Sequence, residues 1–205
     1  MTDSAVLFIV SAPSGAGKTS LLRELVPADP RLVASVSHAT RAMRPGEQDG
    51  VHYHFVSVER FEELAGQGAF LEHARVFDNY YGTAEDAVRN QLRQGLDVVL
   101  EIDWQGAEQV RRRFPEAVSV FVAPPSIDAL RARLSARGQD SQEVVERRMR
   151  DARDQLSHFP EYDYLVINDD FSEALGDLRA IIAAERLREP RQAERYAGAL
   201  GEMLG

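Results

Sequence analysis

The chain has 205 residues, and its apolar fraction of 44% and charged fraction of 28% are ordinary for one globular domain with a single core. It contains no cysteine, which excludes disulfides and thiol catalysis, and its net charge of -9 argues against nonspecific nucleic-acid binding. The apolar opening AVLFIVSA follows Asp3 and is too short to span a bilayer. We therefore expect a cytoplasmic protein with no membrane or nucleic-acid partner.

The first half of the chain alternates between strand and helix patterns. AVLFIVS predicts a strand that ends in a glycine-rich turn, and KTSLLRELV predicts a helix that ends at Pro27. VHYHFVSV alternates like a strand, and RFEELAGQG predicts a short helix. Thr83 and Asp86 are typical of an N-terminal cap for a helix over AEDAVRNQLRQ.

The second half contains the continuous apolar runs DVVLEI, VSVFVA and YLVIN, each followed by a helical pattern. Such runs predict strands buried on both faces of a mainly parallel sheet, hence an α/β fold. Residues 37–94 and 126–158 fit this alternation less well. The first stretch indicates a mixed α/β insertion, and the second an arginine-dense helical pair broken at residues 138–140. EPRQAERYAGALGEML predicts one C-terminal helix after Pro190.

Lys18, the only lysine in the chain, lies in the glycine-rich turn between the first predicted strand and helix. This arrangement surrounds an anion with backbone N–H groups at a helix N-terminus, and predicts a P-loop NTPase-type fold. A lysine there reaches the β- and γ-phosphates of ATP, and the following hydroxyl can bind Mg²⁺. The predicted phosphate-binding loop, residues 12–19, consists of Ala12, Pro13, Ser14, Gly15, Ala16, Gly17, Lys18 and Thr19. Ala12 replaces the first glycine of the motif, which a negative φ would tolerate.

A phosphate-binding loop alone does not name a reaction, because GTPases, ATPases and small-molecule kinases all use one. DWQG at residues 103–106 matches the D-x-x-G pattern of GTPases. However, the chain has no N-K-x-D motif to read the base, and Asp103 lies far downstream of Lys18 for that class. The sequence therefore argues against a GTPase.

The stretch SHATRAMRPGEQDGVHYHF, residues 37–55, is the most specific. It matches the pattern T-R-x-x-[KR]-x-x-[DE]-x-x-G-x-x-Y-x-[FY], and resembles the monophosphate-binding segment of guanylate kinases. The likeness extends through FLEHARVFDNYYGT, EIDWQG, RGQDS and YLVINDD, over about residues 5–184. On the residues alone, Arg41 and Arg44 are forked donors suited to a phosphate, but they equally fit a solvated basic turn.

The resemblance implies a site for GMP, with dGMP also possible. Residues that correspond to Arg41, Arg44, Tyr53 and Tyr81 hold the 5′-phosphate, with Ser37 close by. Glu72, Thr83 and Asp103 correspond to residues that read the guanine. Without the resemblance, surface exposure is the expectation for Glu72, because a carboxylate in an apolar strand is costly unless it has a partner.

The resemblance also implies an ATP site. Arg137 and Arg148 match lid arginines that act with Lys18 in catalysis, although on the residues alone both fit ordinary helix ion pairs. Asn168 lies in the segment that contacts the adenine. Glu101 stands where the family commonly has aspartate, and with Thr19 it is a candidate for holding Mg²⁺.

The implied reaction is ATP + GMP = ADP + GDP. The implied divisions are a core (residues 1–36, 95–125 and 159–205), a GMP-binding region (37–94) and a lid (126–158). Two alternatives are a noncatalytic guanylate-kinase-like interaction module and a related kinase that acts on a sugar phosphate. A homo-oligomer is also possible.

Overall fold

The computed structural model of the chain describes residues 5–76, 78–135 and 142–205. Its strands are β1 (Leu7–Ser11), β2 (Leu32–Ala34), β3 (His38–Ala39), β4 (His54–Phe55), β5 (Phe70–Val76), β6 (Asn79–Ala84), β7 (Asp97–Glu101), β8 (Val118–Ala123) and β9 (Tyr164–Ile167). Its helices are α1 (Lys18–Leu25), α2 (Val58–Gly66), α3 (Glu85–Arg93), α4 (Trp104–Arg113), α5 (Ile127–Ser135), α6 (Gln142–Ser157), α7 (Phe171–Arg186), α8 (Glu189–Arg195) and α9 (Ala197–Leu204).

The central sheet has five parallel strands in the order β2-β7-β1-β8-β9. Alternate residues of β1 face opposite sides, so Phe8 packs with α1 and α7 while Ile9 packs with α3 and α4. Each such buried side chain contributes about 1.5–3 kcal/mol. The predicted α/β fold with helices on both faces of a parallel sheet is confirmed.

A second sheet, in the order β4-β3-β6-β5, is formed within residues 38–84. The strand predicted over VHYHFVSV is much shorter, only His54–Phe55. Before it, Gly50 has a φ of 73° and donates to the Tyr53 carbonyl at 2.8 Å. After it, Ser57 caps α2 by accepting from the Arg60 N–H. Local turns therefore use the backbone groups that a longer strand would pair.

Two predictions about helices were wrong, one about a cap and one about the number of helices. Helix α3 begins after Ala84 without a side-chain cap, because Thr83 belongs to β6 and its hydroxyl donates to Glu72. The C-terminal segment forms two helices, α8 and α9, that meet at Tyr196. Pro190 lies in the first turn of α8, where a missing N–H costs nothing.

The arginine-dense segment folds as α5 and α6, which share a small core of Leu130, Leu134, Met149 and Ala152. The helix break predicted at residues 138–140 lies outside the described residues. Over the parts of the chain that the structure describes, no helix is long and apolar enough to cross a bilayer.

Candidate nucleotide site

The phosphate-binding loop leaves the carboxyl end of β1 and enters α1. Gly15 and Gly17 adopt φ of 91° and 97°, in the left-handed region that favours glycine. Gly17 is the N-cap of α1 and offers no side-chain cap, so the first N–H groups of the helix remain available to an anion. Ala12 is half-buried and packs against the hydrophobic core, where its methyl group replaces a glycine hydrogen.

Asn168, just beyond the carboxyl end of β9, fixes this loop. It is buried, and its Nδ2 donates to the carbonyl of Ala16 at 2.6 Å. A Cβ on Gly17 would lie 2.3 Å from the same Nδ2, so the close approach requires glycine there. The resemblance implies an adenine contact for Asn168. The structure places its side chain against the loop backbone.

Lys18 lies at the first turn of α1 and donates to the carbonyl of Ile102 at 3.1 Å, just beyond β7. Burial lowers the pKa of Lys18, while the nearby carboxylates of Glu101, Asp103 and Glu72 act to raise it. These carboxylates therefore offset part of the cost of burying the ammonium. The structure thus brings the phosphate-binding loop and the predicted guanine-reading residues into one electrostatic site.

Thr19 and Glu101 face each other between α1 and the end of β7. The Thr19 hydroxyl donates to Glu101 Oε1 at 2.5 Å. Two converging oxygens suit a hard cation such as Mg²⁺, which usually takes one or two protein ligands and completes its shell with water and phosphate. The residues present therefore fit a magnesium ion beside the phosphate-binding loop.

Glu72 is buried, at 3% exposure, on β5. It pairs with Thr83 of β6, whose hydroxyl donates to Glu72 Oε1 at 2.5 Å. Burial raises the pKa of Glu72 to about 7, and the neighbouring Asp103 acts in the same direction. The residue expected from the sequence alone to be exposed is therefore a buried carboxyl with a hydrogen-bonding partner.

Ser37 and Asp103 complete this part of the site. Ser37 Oγ lies 3.1 Å from Thr83 Oγ1, so it contacts one of the predicted guanine-reading residues. Asp103 caps α4 by accepting from the Gly106 N–H at 2.9 Å. A Cβ on Gly106 would lie 2.5 Å from Glu72 Oε2. The D-x-x-G spacing thus serves a helix cap and a close approach to Glu72.

Arg41 is held by a bidentate ion pair with Glu47, at 2.7 Å and 2.6 Å. Glu47 also accepts from the backbone N–H of Arg44 at 2.8 Å. The Arg41 guanidinium lowers the pKa of Glu47 to about 2. Glu47, which had no assigned role in the sequence, therefore orients Arg41 and the turn that carries the exposed Arg44.

The two predicted phosphate-binding tyrosines are adjacent. The rings of Tyr53 and Tyr81 meet edge to face, with centroids 6.0 Å apart. The Arg41 guanidinium lies 4.9 Å from the centroid of Tyr53. Burial raises the pKa of Tyr53, as does the charge on Glu101, so its phenol stays protonated as a donor. Arg41, Tyr53 and Tyr81 thus form a cluster rich in hydrogen-bond donors.

Of the two predicted lid arginines, Arg148 lies half-buried on α6. Arg137 lies outside the described residues. An ion pair between Arg131 and Glu146 links α5 to α6.

The comparisons with known proteins agree with one another. The guanylate kinase family model matches residues 4–185. A guanylate kinase of Pseudomonas fluorescens is 56% identical over 206 residues, covering 100% of both chains. This chain belongs to the guanylate kinase family. A guanylate kinase of Vibrio cholerae is 56% identical over 200 residues, covering 97% of each chain.

Solved structures give the same result. The crystal structure of guanylate kinase from Anaplasma phagocytophilum is 31% identical, with a TM-score of 0.77 and 96% of each chain covered.

Proposed function

We propose that this chain transfers the γ-phosphoryl group of ATP to GMP, giving ADP and GDP. The observation that carries this proposal is the buried Glu72 carboxyl, held by Thr83 and lying in the electrostatic environment of Lys18. A guanine-reading group and a phosphate-binding lysine in one site are what a GMP kinase requires. A sugar phosphate would not need Glu72, and a noncatalytic module would not need Lys18.

Glu72 reads the base. Guanine presents adjacent N1–H and N2–H donors, and an ionised carboxylate can accept from both. The hydrogen bond from Thr83 fixes the carboxylate before the substrate arrives, and Asp103 lies close enough to act on its pKa. Adenine offers an acceptor at N1 and no amino group at C2, so AMP would leave a buried carboxylate without its partners.

The 5′-phosphate of GMP binds Arg41, Arg44, Tyr53 and Tyr81. The Glu47 carboxylate preorganises the Arg41 guanidinium. Because the pKa of Glu47 is lowered, this carboxylate stays charged in the working pH range. Ser37 completes the region by hydrogen bonding to Thr83. The GMP-binding region is residues 37–94 in this proposal.

The phosphates of ATP bind residues 12–19. An ammonium has three donors, so Lys18 can keep its bond to Ile102 and direct the others at phosphate oxygens. Phosphoryl transfer depends mainly on positioning and on positive charge at the transferring group, which Lys18 and the N–H groups of α1 provide. Asn168 keeps the loop in shape through Ala16, and we expect its segment to contact the adenine, as the resemblance implies.

Thr19 and Glu101 would hold Mg²⁺. Their oxygens converge at the end of β7, beside Lys18. When bound, the ion supplies positive charge to the phosphate oxygens and orients them. The longer side chain of Glu101, compared with the family's aspartate, reaches the Thr19 hydroxyl in this structure.

Residues 126–158 form the lid in this proposal, with Arg148 on α6 and Arg137 nearby in sequence. Lid arginines reach the ATP phosphates only after closure, so their contacts would arise mainly in the transition state. The remaining residues, 1–36, 95–125 and 159–205, form the core. A cytoplasmic location, turnover of dGMP and a homo-oligomeric state are further predictions.

The test is a coupled assay of ADP release with ATP and each of GMP, dGMP, AMP, CMP and UMP, with and without Mg²⁺. We expect turnover that depends on Mg²⁺ and favours GMP over AMP by roughly 10⁴–10⁵ in kcat/KM, as for sites built around polar partners of the substrate. Equal turnover of several monophosphates would contradict base reading by Glu72, and no turnover of any would contradict the kinase assignment.

A further inference from the structure

Two adjoining cavities lie at the edge of the central sheet opposite the nucleotide site. The strands are parallel, so Leu7 and Asp97, which begin β1 and β7, lie at the amino edge, whereas Ser11 and Glu101 end the same strands at the carboxyl edge. A cavity of about 940 Å³ is lined by Leu7, and one of about 180 Å³ by Asp97. Arg191 of α8 lines both, so the two cavities adjoin at this residue.

The smaller cavity, which we call the Arg186 pocket, is strongly cationic. Four guanidinium groups line it, those of Arg31, Arg186, Arg191 and Arg195. Asp97 is the acidic residue among its lining residues, and its carboxylate already accepts from the Val6 N–H at 2.7 Å and from Arg186 Nε at 2.5 Å. In a chain with a net charge of -9, this is a local reversal of sign.

The cluster around the Arg186 pocket also has more donors than acceptors. Arg186 Nη1 donates to Asp29 at 2.5 Å, but Arg186 Nη2 is buried with no hydrogen-bond partner. No hydrogen bond or ion pair joins the Arg191 guanidinium to any residue that the structure describes. Buried or converging cations without acceptors are costly, and an anion in the pocket would offset this cost.

The larger cavity has a different character. Leu7, Leu92, Phe114 and Pro190 give it apolar walls. The other arginines of this cavity have partners on this chain. Arg113 and Arg89 both pair with Glu85, and Arg188 pairs with Glu185. The Arg89 guanidinium also lies 4.6 Å from the centroid of the Phe114 ring. Arg93 donates to the Arg89 carbonyl, and the acidic side chains of Glu116 and Glu194 add negative charge. Its volume lies within the range of small-molecule sites.

We propose that the two cavities form a second ligand site for a small phosphorylated molecule with an aromatic or apolar body. The phosphoryl group occupies the Arg186 pocket, where Arg31, Arg191 and Arg195 supply charge-assisted donors. The body lies between Leu92, Phe114 and Pro190 in the larger cavity. This site shares no residue with the proposed GMP and ATP sites, so it goes beyond the kinase function.

The test is a titration with 1-naphthyl phosphate, followed by amide NMR of the isotopically labelled full chain. Gly95 and Gln192 report on the Arg186 pocket, while Gly17 in the same spectrum reports on binding at the phosphate-binding loop. We expect the Gly95 and Gln192 signals to shift to saturation. Inorganic phosphate should shift the same signals but bind roughly tenfold more weakly, because it has no body for the larger cavity.

Arg191→Ala should weaken the response at Gly95 by roughly tenfold, as expected for losing a charge-assisted hydrogen bond. Arg112→Ala is the matched control, because Arg112 lies on α4 with its side chain 73% exposed and should leave the response unchanged. GMP kinase activity should be normal in both variants, which verifies folding.

Three results would overturn the proposal. Shifts confined to Gly17, or no saturation at Gly95, would mean that the Arg186 pocket binds no phosphoryl group. Equal affinity for 1-naphthyl phosphate and inorganic phosphate would remove the larger cavity from the site. Gly95 and Gln192 signals that respond to protein concentration but not to phosphate would assign this surface to a second copy of the chain.

Discussion

Thr83 donates its hydroxyl hydrogen to Glu72 across the antiparallel pair β5 and β6, at 2.5 Å. A hydroxyl has one hydrogen to donate, so Ser37, 3.1 Å from Thr83, must be the donor in their contact. The hydrogen bonds therefore run in one direction, from Ser37 through Thr83 to the carboxyl group. This series of hydrogen bonds orients Glu72 before any nucleotide binds.

The change Glu72→Gln should weaken the preference for GMP over AMP. The amide keeps the shape of the side chain but replaces one acceptor with a donor, which faces the N–H groups of guanine. We expect kcat/KM for GMP to fall by on the order of 10²-fold or more, while the small activity with AMP falls less or rises. The measurement is kcat/KM for GMP and AMP in wild type and variant.

Thr83→Val is the companion variant, because it removes the orienting hydroxyl and leaves the carboxylate. It should lower kcat/KM for GMP without favouring AMP. An unchanged ratio of GMP to AMP activity in Glu72→Gln would show that Glu72 does not read the base.

The affinity for GMP should fall as the pH drops below 7. Glu72 in the free protein has a pKa of about 7, raised by burial above the ordinary carboxyl value, whereas guanine binds the ionised form. Below pH 7 binding must first remove a proton, which weakens it by up to about tenfold per pH unit. The measurement is the Kd of GMP by calorimetry from pH 5.5 to 8.5.

Glu72→Gln separates this effect from titration of the nucleotide, whose phosphate has a second pKa of roughly 6. The variant should keep only the part of the pH dependence that comes from the phosphate. Parallel pH profiles in the two proteins would mean that Glu72 does not change its protonation on binding.

The elements that the sequence predicted best are those whose pattern reflects burial on two faces. The runs at β7 and β8 are apolar throughout because helices cover both sides of the central sheet there. At the edge strand β9, Leu165 and Ile167 are 48% and 45% exposed, so the burial of this run on both faces that the sequence predicts is wrong. The phosphate-binding loop was equally readable, because Gly15 and Gly17 have φ values that favour glycine.

Contacts between residues far apart in sequence could not be predicted in this way. Asn168 and Ala16 are 152 residues apart, and nothing local to either indicates their hydrogen bond. Thr83 is of a residue type that favours helix N-caps. Its strand pairs with that of Glu72, however, and its hydroxyl donates to Glu72 instead. Glu47 lay inside a recognised motif, yet its partner became clear only from the fold.

Lys18→Ala should fold normally and lose nearly all turnover. The ammonium provides charge at the phosphates, and its removal leaves the hydrophobic clusters of the sheet intact. Loss of one such preorganised donor costs on the order of 10²–10³ in kcat. Turnover is measured by ADP release and folding by thermal unfolding. A folded Lys18→Ala protein with near-normal turnover would refute the kinase proposal.

Arg148→Ala and Arg137→Ala should lower kcat steeply and change GMP affinity little. As lid residues they would contact the transferring group only after closure, and arginines in this role contribute roughly 10³–10⁵ in other phosphoryl-transfer enzymes. GMP titration without ATP isolates the monophosphate site. Weaker GMP binding with an intact kcat would instead place these arginines at that site.

Gly106→Ala should damage the guanine site through one methyl group. A Cβ at this position would lie 2.5 Å from Glu72 Oε2 and 3.2 Å from its carboxyl carbon, so the carboxylate must move away from Thr83 or α4 must shift. The same Gly106 N–H is capped by Asp103, so a shift of α4 would also displace a second residue that we propose reads the guanine. We expect KM for GMP to rise at least about tenfold, as when a binding group is misplaced by about 1 Å, with little change in KM for ATP.

Gly176→Ala is the matched control, because Gly176 is also helical and a Cβ there meets no atom within 4 Å. That variant should keep its kinetics and gain roughly 0.5–1 kcal/mol of stability from the better helix propensity of alanine. Steady-state kinetics with each substrate varied, together with denaturant unfolding of both variants, provide the comparison. Equal KM values for GMP in the two variants would show that the backbone at Gly106 does not control the position of Glu72.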